Sequence, residues 1–229
     1  MKYVFQFGIV WDNLPRLIDG AWLTLRLSVT AFVLGFVLAV VLAFLRNAGP
    51  RPVRTFVAAY VELVRNTPFL VQLFVIYFSL PAIGIRMEAV TAALIGMSIN
   101  FSGYATEIVR SGIESVPRSQ IEAGQSMGFD RMQIFRHIVL FPALRTVYPA
   151  LASQFILLML GSSIVAAISA EELTAVTNSL QSTTFRSFEF YFVATGMYLA
   201  MALGARLLLH AFYWAVFERG RPAAAGWAR

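Results

Sequence analysis

Ser119-Gln-Ile-Glu122 and Asp130-Arg-Met-Gln133 share one spacing, a short oxygen-bearing side chain followed three positions later by a long polar one. At that spacing the first side chain accepts from the N–H of the fourth residue. The fourth side chain reaches back to the first N–H, so each quartet starts a helix. Gly128 lies between them and suits the φ > 0 conformation that stops a helix. The predicted chemistry is mechanical rather than covalent. It is a two-turn helix over Ser119–Met127, a sharp bend, and a second helix ending before Pro142, which drives Phe141 out of the α region. Ala123 and Gly124 are small enough for another backbone to approach closely, and Met127 is long and adaptable. A merely solvated surface helix is the other reading of this pattern, but it favours more Lys, Glu and Gln.

Covalent and metal chemistry find little here. The chain has no cysteine and only two histidines, His137 and His210, too few for a His-based metal site. No G-x-x-x-x-G-K-[ST] loop is present, and Lys2 is the one lysine, so no phosphate-loop lysine exists. No Ser/His/Asp set or paired-carboxylate constellation is visible. The expectation is a chain with no catalytic residues and no cofactor or metal of its own.

The elements that must carry the bracket are apolar. Of 229 residues 59% are hydrophobic and 13% charged, about half the charge of a soluble domain. Five segments are long enough to cross about 30 Å of hydrocarbon: 21–45, 56–80, 89–109, 147–168 and 190–217. Residues 2–20 read as a short interfacial helix with Phe5, Ile9, Trp11 and Leu14 on its apolar side, and not as a cleaved signal peptide. No internal repeat is visible. The expected fold is an all-α membrane protein, a single transmembrane domain over residues 1–229 with the bracket at 116–141. Arg46, Arg51, Arg54, Arg110, Arg118, Arg131, Arg136, Arg145, Arg219, Arg221 and Arg229 fall on one side of such a layout. Lys2, Arg16, Arg86 and Arg186 fall on the other. That placement is a topology signal rather than a nucleic-acid surface. It sets the N-terminus outside, and the C-terminus and the bracket in the cytoplasm.

Polar groups inside the spans are the candidates for a pathway. Asn100, flanked by Ser98 and Ser102, and Gln154 need hydrogen-bond partners in hydrocarbon. Gly161, Ser162 and Ser163 fit either helix packing or a lined pathway. Ser169-Ala-Glu-Glu172 has capping-box spacing and predicts a short external helix, with Glu172 near the pathway. Glu62/Arg65 and Glu107/Arg110 are spaced i,i+3 and are expected to pair. Arg206 and His210, four apart, share a face.

The stretch IEAGQSMGFDRMQIFRHIVLFPAL, Ile121 to Leu144, resembles the EAA motif of ATP-binding-cassette (ABC) importer permeases. YVELVRNTPFLVQLFVIYFSLP (Tyr60–Pro81) and GYATEIVRSGIESVPRSQIEAG (Gly103–Gly124) resemble the polar amino acid uptake branch of that family, the histidine, glutamine, glutamate and arginine type. The resemblance runs from about Trp22 to Phe217. It implies a type I ABC importer transmembrane domain in a bacterial inner membrane. It also implies that Ser119, Glu122, Ala123, Gly124, Met127, Gly128 and Phe129 form a coupling helix seated in a groove of a separate ATPase. The implied partners are two ATPase subunits carrying ATP and Mg, a second permease chain, the same or homologous, and an extracytoplasmic amino acid binding protein. Asn100, Gln154, Ser162, Ser163 and Glu172 are the implied pathway candidates. Two positions depart from the family pattern. Gly124 stands where the third motif residue is usually Ala, which predicts a softer docking helix. Pro142 lies one place later than the usual proline. Two other classes fit a polytopic chain, an ion-driven secondary transporter and a non-transporting membrane adaptor. The first predicts an inverted repeat, which is absent.

Overall fold

A computed structural model describes residues 3–218. Lys2, Arg219, Arg221 and Arg229, which enter the charge count, lie outside them. Among the described residues every regular element is helical. The short α1 (Gly8–Asp12) leads into α2 (Leu14–Ala48), so the expected interfacial segment is one turn and a half. The first long helix already begins at Leu14, with Pro15 in its opening turn, where a missing N–H costs nothing.

The run 56–80 is not one straight helix. α3 (Arg51–Arg65) and α4 (Phe69–Phe74, continued as helix to Ile83) are bent from each other by 105°. The cause is local: Pro68 has no N–H and disfavours helical backbone at Thr67. α5 (Ala89–Glu114) follows, then α6 (Arg118–Ser126) and α7 (Arg131–Ile134). The helix expected to end before Pro142 does not. α7 passes through a wide π turn at Phe135–Val139 into α8 (Leu140–Gly161), which ends in a 3₁₀ stretch, Ser162–Ile168. Pro142 sits just past the π turn, where the altered hydrogen-bond register accommodates a residue without an N–H. α9 (Leu173–Thr184) and α10 (Ser187–Tyr213, continued by a π turn to Glu218) complete the chain.

Among the described residues three helical runs are long and apolar enough to cross a membrane: Leu14–Ala48, Met132–Ile168 and Ser187–Glu218. The bent α3–α4 pair makes a fourth if it counts as one span. α5 is the centre of the bundle. It buries Ala92, Ala93, Gly96, Met97, Phe101 and Ala105, but also the hydroxyls of Ser98, Ser102 and Thr106. Its main partner is α2, whose buried face runs Leu27, Ala31, Gly35, Ala39, Ala43. Lipid tails are as apolar as leucine, so such helices associate through close packing of small residues. A Cβ at Gly35 would lie 2.7 Å from the Ser98 carbonyl oxygen. Phe32, Phe101 and Phe155 fill the space between α2, α5 and α8.

Two smaller clusters cap the bundle. At one end α1, α2, α9 and α10 enclose Val10, Leu17, Leu173, Leu180 and Phe190. At the other, Val116, Ile134, Val139 and Ala143 pack beneath α6.

Candidate coupling and pathway sites

The bracket is built from one stop and one start signal. α6 ends on Gly128, whose φ is +80°. The Phe129 N–H bonds the Gly124 carbonyl at 3.1 Å and the Gly128 N–H bonds that of Gln125 at 3.0 Å, the paired closure of a helix on a left-handed residue. Two residues later Asp130 starts α7. Its Oδ1 accepts the N–H groups of Met132 and Gln133, both at 2.8 Å, and Gln133 Oε1 accepts the Asp130 N–H at 2.9 Å. The second capping box is therefore complete.

The first is not formed. α6 begins at Arg118 with Pro117 as its N-cap, and no side chain caps it. Pro117 holds the extended backbone (ψ 135°) that an N-cap needs. Ser119 consequently lies inside the helix, where its hydroxyl is not placed for the Glu122 N–H. Glu122 is exposed, its carboxylate accepts no hydrogen bond among the described residues, and its carbonyl takes the Ser126 hydroxyl at 3.0 Å.

Gly124 faces its own chain. It is buried, and a Cβ there would clash with Ile138 Cδ1 and lie 3.3 Å from Ile134 Cγ1. The expected approach of a foreign backbone at this residue is replaced by the approach of α6 to the π turn. Ile121 and Phe129 are half-buried against the same cluster. The solvent side of α6 carries Ser119, Glu122, Ala123 and Met127, the last 72% exposed, and Met132 at the start of α7 is 70% exposed.

Beneath the bracket, Glu107 bonds both Arg46 and Arg110, with Arg110 at 3.0 Å, and Arg110 also reaches Glu114 at 2.6 Å. The Glu107/Arg110 pair is as expected; Arg46 was not anticipated. The expected Glu62/Arg65 pair does not form. Glu62 Oε2 accepts the Asn66 amide at 2.8 Å, and Arg65 stands over the Tyr104 ring at 5.7 Å.

The pathway candidates do not form one site. Asn100 donates to Gln72 Oε1 at 3.1 Å. Gln72 in turn donates to the Val64 carbonyl at 2.8 Å and the Thr67 hydroxyl at 2.7 Å, tying the α3–α4 bend to α5. Tyr60 and Ser102 join hydroxyls at 2.6 Å alongside. Gln72 was missed although it carries the same signal as Asn100, an amide within an apolar run. Gln154 is half-buried on α8, and its side-chain amide makes no hydrogen bond to the described residues. Ser162 is buried and donates to the Met159 carbonyl. Ser163, one residue on, lines a pocket of about 340 Å³ with Thr174, Thr177, Tyr191, Thr195 and Tyr198.

Glu172 is fully buried and is itself the N-cap of α9, accepting the Ala175 N–H at 3.0 Å. The expected Ser169 cap is absent because Ser169 is left-handed (φ 63°) and closes the 3₁₀ stretch instead. The other Glu172 oxygen accepts the Tyr198 hydroxyl at 2.5 Å and the Thr24 hydroxyl at 3.2 Å, so one carboxyl joins α2, α9 and α10. Burial pushes this carboxyl above the usual range, against the pull of those donors. Among the described residues no group of His, Asp and Glu could hold a metal ion.

Residues 23–216 match the family described as binding-protein-dependent transport system inner membrane component. The probable glutamine ABC transporter permease protein GlnM of Bacillus subtilis is 35% identical over 196 residues, 86% of this chain and 91% of that protein. The glutamine transport system permease protein GlnP of Escherichia coli K12 is 31% identical over 207 residues, 90% of this chain and 94% of that one. The crystal structure of an amino acid ABC transporter with histidines superposes with a TM-score of 0.87 at 32% identity, covering 93% of this chain and all of that one. A methionine ABC transporter in an inward-facing conformation shares the fold, with a TM-score of 0.76 at 20% identity. This chain belongs to the inner membrane components of binding-protein-dependent transport systems, the permease subunits of ABC importers.

Proposed function

We propose that this permease carries a polar amino acid into the cytoplasm by alternating access, driven by ATPases that bind the α6–α7 bracket. The observation that carries the reading is the exposed Ser119–Glu122–Ala123–Met127 face of α6, held rigid by the Gly128 stop and the Asp130 cap. A helix whose last turn is closed and joined at a fixed bend to the next capped helix transmits a push; a frayed one absorbs it. The amino acid class is supported by what the relatives and the superposed structure are named for. α2, the bent α3–α4 pair, α5, α7–α8 and α10 then make five spans. The N-terminus is outside and the bracket in the cytoplasm, in keeping with the arginine distribution.

Two such chains, identical or homologous, would flank the pathway, with two ATPases inside and a binding protein outside. ATP and Mg would belong to the ATPases, and this chain would bind no cofactor. ATP on one face and loaded binding protein on the other must each favour a different state for the switch to run. Asn100, Gln154 and Ser163 are the residues proposed to lie nearest the substrate route, Gln154 first because its side-chain amide has no partner among the described residues. The test is reconstitution of permease and ATPase in proteoliposomes with ATP inside and binding protein outside. Uptake of a polar amino acid is expected only with all components. Uptake without ATP or ATPase would overturn the proposal in favour of a secondary transporter.

A further inference from the structure

We propose that the corner between α2 and α3 is a headgroup site for an anionic phospholipid, in the leaflet on the α6 side of the bundle. Arg46, Arg51, Arg54 and Arg110 surround a cavity of about 600 Å³, with Asn47, Thr55, Ala58 and Glu114. Two carboxylates serve these four guanidiniums, Glu107 bonding Arg46 and Arg110, and Glu114 bonding Arg110. Arg51 and Arg54 pair with no carboxylate among the described residues. Both stand in the first turn of α3, which has no acidic residue and no side-chain cap. That is the positive end of a helix, where a cation is disfavoured. Guanidiniums crowded there repel one another unless an anion lies between them, and a phosphate diester is an anion they grip bidentately.

The outer surface of α3 decides between a lipid and an acidic protein. At 100° per residue the helix has three stripes. Val57, Val61 and Val64 are buried on the bundle. Arg51, Arg54, Glu62 and Arg65 form a polar stripe beside them. The third stripe is apolar and exposed: Pro52, Phe56, Ala59 and Leu63, with Phe56 73% and Leu63 64% exposed. A water-soluble acidic partner would match the arginines and leave that stripe uncovered. A phospholipid matches both, with its phosphate among the arginines and its acyl chains along Phe56 and Leu63. α3 is turned 105° from α4, so within that one broken span α4 can carry the crossing while α3 lies along the surface, as an interfacial helix does. No residue of 116–141 lines the cavity, so a lipid there leaves the bracket free. Basic pockets of this kind between helices on the cytoplasmic side suit anionic headgroups.

The leaflet named here rests on the orientation proposed above, which labelling of Gln120→Cys from either side of the membrane reads separately. The lipid site itself is tested on the assembled transporter, delipidated in neutral detergent and titrated with phosphatidylglycerol, phosphatidylcholine or inorganic phosphate. Bound lipid is read by native mass spectrometry and stability by thermal shift. Saturable binding of phosphatidylglycerol alone is expected. R51Q/R54Q should weaken it about thirty-fold, and Arg54→Gln alone about five-fold. Phe56→Ser should weaken phosphatidylglycerol binding further. Equal binding of phosphatidylcholine, or unchanged phosphatidylglycerol binding in both arginine variants, overturns the proposal. Inorganic phosphate competing on equal terms overturns it in favour of a simple anion site. ATPase lost from R51Q/R54Q in lipid-free detergent, with lipid binding intact, assigns the arginines to that partner instead.

Discussion

Gly124 of α6 and Ile138 of the π turn meet where a methyl group does not fit: a Cβ on Gly124 would overlap Ile138 Cδ1. The glycine that stands where relatives of this motif carry alanine is thus explained by its own chain. It lets the coupling helix lie down on α7–α8, with Ile134 packed at its side.

Gly124→Ala is therefore expected to destabilise, against the usual helix preference. Alanine in a helix interior gains about 0.5–1 kcal/mol over glycine, while overpacking costs about 1–3 kcal/mol. A net loss near 1 kcal/mol follows. Ile138→Val removes the offending carbon, so the G124A/I138V pair should be more stable than G124A alone. Thermal unfolding of the four proteins checks this, and simple additivity would refute the contact.

The two capping quartets separate sharply. Asp130→Ala removes the acceptor for two backbone N–H groups and should cost about 1 kcal/mol, with faster amide exchange at the start of α7. Ser119→Ala removes no cap and should change stability by less than about 0.5 kcal/mol. Equal losses in the two variants would show that Ser119 does cap α6.

What the sequence revealed of the bracket follows interaction range. The φ of Gly128 and the Asp130–Gln133 box depend on residues at most three apart and are found where the pattern places them. The Ser119 box failed because Pro117, two residues earlier, is a stronger N-terminal signal than the hydroxyl. The cap of α9 falls on Glu172 rather than Ser169 because Ser169 is taken up in closing the 3₁₀ stretch before it. Long-range relations left no trace. Thr24 and Glu172 are 148 positions apart, and Thr24 reads as one more threonine in an apolar run. The facing of Gly124 required the path of α8 through Pro142, which a local rule on prolines broke too early.

Glu172 should give the chain a pH-dependent stability. Burial raises its carboxyl above the unfolded value, which is about 4.3. The folded state then holds a proton that the unfolded state releases. The contribution is full below the unfolded value and is lost as pH rises through the raised one. Wild type should lose more thermal stability than Glu172→Gln between acid and neutral pH. Parallel pH profiles would place the carboxyl at an ordinary value.

The exposed face of α6 makes the docking reading testable without touching the fold. Ala123→Asp and Met127→Asp alter side chains that face solvent, so thermal stability should stay within about 0.5 kcal/mol of wild type. Each should abolish or strongly reduce co-purification of the ATPase and ATP-dependent uptake. Glu122→Lys should act in the same direction and more weakly, since Glu122 caps nothing. ATPase retained at wild-type levels in all three would remove α6 as the coupling element.

Gln72 and Gln154 are both amides in apolar runs, and their surroundings predict opposite phenotypes. Gln72 donates to the Val64 carbonyl and the Thr67 hydroxyl and accepts from Asn100. Gln72→Leu strands these groups at the α3–α4 bend, at about 1–3 kcal/mol for a buried polar group left unpaired. It should lower yield and thermal stability. The Gln154 side-chain amide has no partner among the described residues, so Gln154→Leu removes an amide that none of them uses. Folding and ATPase binding should persist while the concentration dependence of amino acid uptake shifts. The two variants, compared for expression, thermal stability and uptake kinetics, separate a fold-holding amide from a pathway amide. Unchanged uptake in Gln154→Leu would return that residue to packing, and leave the Ser163 pocket as the next place to look for the substrate.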